Sequence, residues 1–266
     1  METPCINCGQ PITNQFCSNC GQRAGVKRIT FREGWVDFWA RIYGFDGMFP
    51  RTLRDLTIRP GEAARLFIAG NRARYYGPVG YFFLMITVFL LLLDLLGIDT
   101  LEFFREMSKN SLAPSVEKGS AEEKSSLVVL QFMSDNMKMI FFLMIPFQAL
   151  LARYVFFRKS GYNFMENAVL PLYTAGHVYW ISIATVIIYK VSGVFLRSSI
   201  GTIISTLYFG YAYSNLFNYQ PRWKSFIKGI ATYYFALVSF MICASIVLFT
   251  LIMISPSLRA LFKPTP

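Results

Sequence analysis

Long apolar runs limit this chain to one broad class of fold. A helix needs about 20 mostly apolar residues to cross a bilayer, and five runs come close to or exceed that length, at 79–97, 137–157, 169–189, 200–217 and 230–254. Backbone groups in lipid must satisfy one another, so each run is expected to be a helix and not a strand. With 54% hydrophobic and 15% charged residues, the chain is too apolar for an ordinary soluble domain. The sequence predicts an all-α polytopic membrane protein with about five transmembrane helices.

The distribution of charge predicts an orientation. Eleven lysines and arginines precede the first run, whereas the loop at 98–136 holds seven acidic residues against four basic ones. By the positive-inside rule, the N-terminal region is cytoplasmic and this acidic loop is extracytoplasmic. Five crossings then place the tail, 255–266, on the extracytoplasmic side. Topology and contact with anionic lipids account for the net charge of +11, so we expect the bilayer as a partner and no nucleic acid.

Four cysteines near the N-terminus form a metal-binding pattern. Cys5, Cys8, Cys17 and Cys20 make two C-x2-C units, each followed by glycine. Two residues between thiolates allow one turn to direct both sulfurs at a single ion, and two such turns complete a tetrahedron. Disulfides are the alternative, but thiols in the cytoplasm are kept reduced. We predict a structural zinc ribbon over 1–25 with one Zn²⁺ per chain, closed to substrate because four thiolates fill the coordination shell.

The stretch FREGWVDFWARIYGF, which follows the ribbon, has its aromatic residues on one helical face, Trp35 and Trp39 among them. An aromatic face beside basic residues is typical of a helix that lies in the membrane interface. Packing of the same face onto the transmembrane helices is the alternative, and the two are compatible. Residues 26–78 are therefore predicted to be a cytoplasmic and interfacial amphipathic segment.

The end of that segment carries a second set of interface candidates. Arg72, Arg74, Tyr75 and Tyr76 directly precede the first apolar run, where basic and aromatic residues commonly meet lipid head groups. In the alternative interpretation, the two arginines bind a phosphate group of a lipid or a nucleotide.

Several motifs resemble one uncharacterised family. The paired CxxCG units, TLRDL, RPG and GNRxRYxxP are similar to a bacterial inner-membrane family, seen mainly in Bacteroidota, that carries an N-terminal zinc ribbon and is designated DUF3667. The resemblance implies a fold and a location in the bacterial inner membrane, but no activity. The plan of a polar head and five spans is also similar, in architecture alone, to the Yip1-type membrane proteins, which act in membrane organisation.

Polar residues inside the spans are the remaining candidates for chemistry. His177 lies within the third run, Asp94 near the outer end of the first and Asn215 in the fourth. They could line a polar cavity, or His177 could join helices through hydrogen bonds to a partner such as Gln148 or Asn215.

The sequence leaves two functions open. The first is a non-enzymatic scaffold or adaptor whose zinc ribbon recruits a protein partner, with 79–254 as the membrane domain. The alternative is a small-solute or ion transporter with a polar site near His177. A single histidine and few intramembrane acids argue against an enzyme, and a homo-oligomer is compatible with either function.

Overall fold

Helices dominate the chain in the computed structural model, which describes residues 3–25, 30, 48–101, 103, 105, 130–193, 198–217 and 219–254. Trp35 and Trp39, most of the acidic loop and the tail at 255–266 lie outside the described residues. The elements are the strands β1 (Thr3–Pro4) and β2 (Pro11–Ile12), and the helices α1 (Met48–Ile58), α2 (Pro60–Ile68), α3 (Pro78–Leu95), α4 (Met137–Leu151), α5 (Phe164–Ser192), α6 (Ser198–Leu216) and α7 (Arg222–Ile254).

Local sequence accounts for several helix boundaries. Proline begins both α2 and α3, where its fixed φ suits the first turn and its missing N–H costs nothing. A capping box begins α5: the Asn163 side chain accepts from the Glu166 N–H at 2.8 Å, and the Glu166 carboxylate accepts from the Asn163 N–H at 2.7 Å. A turn of π-helix, Ala152–Phe156, extends α4.

Four helical segments in the described ranges are long and apolar enough to cross a membrane, namely Pro78–Leu95, Met137–Phe156, Phe164–Ser192 and Arg222–Val247. The prediction of a mostly helical chain with several helices of membrane-spanning length and composition is thereby confirmed. The predicted span at 200–217, the fourth along the chain, corresponds to α6, a helix of 19 residues that does not meet the same test. Serine, threonine, tyrosine and asparagine dilute its apolar character, so the count of five remains a prediction.

Helix α5 lies at the centre of the bundle. It packs against α3, α4 and α6, while α6 pairs along its length with α7. Gly176 of α5 lies so close to α3 that a Cβ there would stand 3.0 Å from the Cα of Phe82. At one end of the bundle, Phe157 stacks on Tyr213 and Phe217 of the α6 end, with ring centroids 4.8 and 4.6 Å apart.

The junction of α1 and α2, residues 55–62, packs against that same end of the bundle. We call this junction the corner. The hydroxyls of Tyr208 and Tyr211 on α6 donate to the carbonyl oxygens of Leu56 and Ile58, at 2.9 and 2.7 Å. These bonds satisfy carbonyls that the end of α1 leaves without helical partners. The corner thus joins the polar N-terminal part of the chain to the membrane helices.

Candidate metal site and its contact with the helical corner

The cysteine head, residues 3–25, is built from two copies of one turn. The sequences CINCGQ (5–10) and CSNCGQ (17–22) have the same hydrogen bonds: the first cysteine N–H donates to the glutamine carbonyl, at 2.8 and 2.7 Å, and the glycine N–H donates back to the first cysteine carbonyl at 2.8 Å in both. Gly9 and Gly21 have φ of +77° and +69°, a conformation that favours glycine. Each copy is a knuckle that directs two sulfurs to one side.

The two knuckles bring all four sulfurs together. Every pair of Sγ atoms lies within 4.8 Å, with 3.6 Å between Cys5 and Cys20 and 3.5 Å between Cys8 and Cys17. Sulfurs about 2.3 Å from a central ion at tetrahedral angles would be about 3.8 Å apart. All four cysteines are free thiols and form no disulfide bond with one another, in contrast to the disulfide alternative. The cluster can therefore hold a metal ion.

Cys8 has a feature that favours metal binding. A hydrogen bond from the backbone of Gln10, joined by weaker ones from Cys20, Asn19 and Cys17, outweighs the opposing effect of burial and lowers the pKa of Cys8 to about 6. The thiolate is the form that binds metal. This thiol is therefore ready to bind near neutral pH.

The head is attached to the helices through one glutamine. The side-chain amide of Gln22 donates to the carbonyl oxygen of Gly70 at 2.7 Å, and its Oε1 accepts from the Ala73 N–H at 3.0 Å. Gln22 is 2% exposed, whereas Gln10, its equivalent in the first knuckle, is exposed. Contact with the turn after α2 thus breaks the symmetry of the two knuckles.

The same turn is held to α1 by a buried carboxylate. Asp55 is 1% exposed, accepts from the Tyr75 hydroxyl at 3.0 Å and from Arg54 at 2.8 Å, and lies 3.6 and 3.7 Å from the guanidinium groups of Arg59 and Arg74. These residues come from the TLRDL, RPG and GNRxRYxxP motifs, which this cluster brings together.

Protonation in the cluster follows from its contacts. Burial alone would raise the pKa of Asp55, but hydrogen bonds from Arg54 and Tyr75 and the charge of Arg59 outweigh it and hold that pKa below its usual range. Burial, followed by the bond to Asp55, raises the pKa of Tyr75 to about 12. Asp55 is therefore ionised and Tyr75 neutral at physiological pH.

The four interface candidates lie in the turn after α2 and at its end. Arg72, Tyr75 and Tyr76 are buried in the protein, and Arg74 is partly exposed. The Tyr76 N–H donates to the hydroxyl of Thr52 at 2.8 Å, which fixes the turn against α1. Three of the four side chains thus make contacts inside the protein, because the turn folds back onto α1, and their place at the level of the lipid head groups stays a prediction.

His177 is enclosed by three helices. Its Nε2 lies 3.2 Å from the hydroxyl of Thr57 on α1, and its Nδ1 lies 2.9 Å from the hydroxyl of Tyr81 on α3. The Thr57 hydroxyl already donates to the carbonyl of Leu53 at 2.8 Å, so it accepts from an Nε2–H, and the Tyr81 hydroxyl donates to Nδ1. A neutral imidazole satisfies both bonds, with the ring of Tyr208 stacked on it at 5.3 Å.

The other intramembrane candidates do not join His177. Asp94 lies 13 residues beyond Tyr81 on α3, about 20 Å along the helix. The Asn215 side-chain amide donates to the Tyr211 carbonyl at 3.0 Å within its own helix. The structure thus gives no common polar site for these residues, and Thr57 and Tyr81 take the places expected for Gln148 and Asn215.

Sequence reasoning missed the residues that hold the head in place. The only signal for Gln22 in the sequence is the repeat, in which CSNCGQ ends on glutamine as CINCGQ does. Comparison of the two copies could have identified it as a candidate contact residue. Asp55 had a signal too, as an acid on the apolar side of an amphipathic helix, but two of its partners, Arg74 and Tyr75, lie 19 and 20 residues away in the sequence.

Comparison with known proteins agrees with the motif resemblance for one segment. Residues 46–90 match the model of a family described as "Protein of unknown function (DUF3667)". No curated protein and no solved structure matches the chain. The matched segment contains α1, α2, the turn that binds Gln22 and most of α3, so it includes the whole corner. The bacterial origin and the Yip1-type likeness remain predictions.

Proposed function

We propose that this chain is a non-enzymatic membrane adaptor. Its cysteine head, closed by one zinc ion, is held against the turn after α2 by the second knuckle and offers the first knuckle to a cytoplasmic protein partner. The observation that carries this proposal is the asymmetry between Gln22 and Gln10. Two knuckles of nearly the same sequence are used differently, since one is bound to the helices and the other faces outward.

Zinc is the ion that the donor set favours. Four thiolates in a closed tetrahedral arrangement are typical of structural zinc sites, with no position for water or substrate. Such sites contribute most of the folding free energy of a head this small. The proposed role is therefore to fix the shape of the binding surface.

Exposed apolar side chains on the head support a protein partner. Ile6 is 53% exposed and Phe16 is 56% exposed, each next to a metal-binding cysteine. Ser18 occupies the position equivalent to Ile6 in the second knuckle. Ile6 thus gives an apolar contact surface to the first knuckle, which the turn after α2 leaves free, and Phe16 is a second exposed apolar side chain just before the second knuckle.

Five crossings are part of the proposal. Helix α6 begins beside the far end of α5, where Ile188 and Ile200 line one cavity, and it ends at the corner, where the backbone of Ala212 meets Gly61. A helix that reaches both ends of the bundle supports a crossing, and the hydroxyls of Tyr208 and Tyr211 are satisfied by α1 carbonyls. With the head in the cytoplasm of a bacterium, the C-terminus is then extracytoplasmic.

Photo-crosslinking in native membranes tests the adaptor role. A photoreactive amino acid at position 6 is expected to give a protein adduct, with about fivefold less at position 18, the matched control, and none when Cys5→Ser is also present. Only lipid adducts at position 6, or an adduct that survives Cys5→Ser, would overturn the proposal.

Two further measurements address the metal and the topology. Metal analysis of the purified chain is expected to give one zinc per chain, and a metal-free head or another metal would overturn the zinc assignment. Topology reporters placed in the loop at 98–136 and after residue 266 are both expected on the extracytoplasmic side. A cytoplasmic reporter at the C-terminus would overturn the five-crossing model.

A further inference from the structure

A long cavity runs between the helices, away from the metal site. It has a volume of about 450 Å³ and is lined by α3, α4, α5 and α6, with Tyr233 from α7 at one end. On α4 its lining residues are Met137, Phe141, Met144 and Gln148, which lie on one face at spacings of four, three and four residues. The cavity therefore follows the helix axes.

The shape of the cavity restricts its occupant. At a rise of about 1.5 Å per residue, Met137 to Gln148 covers about 17 Å and the lining from Thr174 to Ile188 covers about 21 Å. A cavity of this length with a volume of about 450 Å³ is elongated, a shape that suits one extended hydrocarbon chain.

One polar atom in the lining lacks a partner. Gln148 is 1% exposed, and its Oε1 has no hydrogen-bond partner among the described residues. A buried acceptor left unsatisfied costs about 1–3 kcal/mol, so a ligand that donates a hydrogen bond here would remove that cost. Gln148 lies near the end of α4, on the side where Phe157 stacks on α6, so the donor group would be at the corner end of the cavity.

We propose that this cavity binds one single-chain amphiphile, with its chain between α4, α5 and α6 and a hydroxyl or amide donor bonded to Oε1 of Gln148. The inference goes beyond the adaptor role and does not depend on the metal site. The hydrogen bond to Gln148 distinguishes a specific ligand from bulk phospholipid, because phospholipid tails carry no hydrogen-bond donor at that depth.

The test uses the full chain in lipid nanodiscs and a photoactivatable analogue of hexadecanol as the probe. Labelling is expected on the lining segments of α4 and α5, and hexadecanol is expected to compete about tenfold better than hexadecane, because only the alcohol satisfies Gln148. Gln148→Leu is expected to remove that preference. Equal competition by the two compounds, or a preference that survives Gln148→Leu, would overturn the hydrogen-bonded site.

A matched pair of substitutions tests the location. Val178 lines the cavity, and Val238 is 54% exposed on the outer face of α7. Val178→Phe is expected to reduce labelling about fivefold by filling the channel, whereas Val238→Phe leaves it unchanged. Thermal unfolding checks that both variants are folded, and equal labelling of the two would place the probe outside the cavity and overturn the proposal.

Discussion

Gln22 donates a hydrogen bond of 2.7 Å to the carbonyl oxygen of Gly70, and this contact joins the cysteine head to the membrane helices. The same side chain accepts from the N–H of Ala73, so it pairs with the turn as another backbone segment would. Asp55 holds that turn against α1 from the other side. The head, the turn and the corner therefore form one connected polar unit at the end of an apolar bundle.

Loss of the Gln22 side chain is expected to free the head from the turn. Gln22→Ala leaves the Gly70 carbonyl and the Ala73 N–H without their partner, a loss of about 2 kcal/mol in docking free energy or roughly 30-fold in the equilibrium. Hydrogen exchange of the Ala73 amide should accelerate by a similar factor, with metal content unchanged. Gln10→Ala is the matched control, and equal acceleration in both variants would contradict the assigned contact.

Removal of the metal is also expected to free the head from the turn, although the metal site does not contact Ala73 directly. The N–H of Cys17 donates to the backbone carbonyl of Gln22 at 2.7 Å, so the geometry of the second knuckle positions the side chain that docks. A chelator, or Cys17→Ser, should accelerate exchange at Ala73 because knuckles of this size depend on metal for their fold. If Ala73 stays protected in the metal-free chain, the metal does not control docking.

The sequence predicted the elements far better than the contacts between them. Period and length predicted the helices, and α2 begins at Pro60, where the fixed φ of proline suits the first turn of a helix. The partners of Asp55 and His177 could not be predicted in this way, because each depends on how the α1–α2 pair enters the bundle. That placement is fixed by tertiary features such as Gly61 against α6, which have no local period.

The Asp55 cluster is expected to stabilise the protein in a defined pH range. The folded-state pKa of Asp55 lies below its ordinary value, so its contribution is present above about pH 4 and is lost as pH falls through the folded pKa. Asp55→Asn should cost about 2 kcal/mol at pH 7, because the neutral amide weakens the hydrogen bonds from the charged arginines. The loss is limited because those arginines are partly exposed to solvent. Unfolding in detergent measured from pH 7 to pH 3 should show the difference between wild type and variant shrinking; a constant difference would refute the ionised pair.

His177 is expected to act through hydrogen bonding between helices. His177→Leu leaves the fully buried Tyr81 hydroxyl without its 2.9 Å partner, which should lower the free energy of unfolding by about 1–3 kcal/mol. Tyr81→Phe should cost a similar amount, and the double variant less than the sum of the two, because the shared bond is lost only once. Additive losses in a double-mutant cycle of unfolding would show that the pair is not coupled.

Gly61 is expected to be the least replaceable residue of the corner. A Cβ at this position would overlap the backbone of α6 at Ala212, Asn215 and Leu216, and backbone atoms cannot move aside as a flexible side chain can. Gly61→Ala should therefore cost about 2–3 kcal/mol or more and separate α2 from α6. Gly201→Ala is the matched control: it lies within α6 with nothing within 4 Å of an added Cβ, and alanine there should stabilise the helix by up to about 1 kcal/mol. Thermal unfolding in detergent compares the two variants, and a neutral Gly61→Ala would show that α2 does not pack on α6 at this distance.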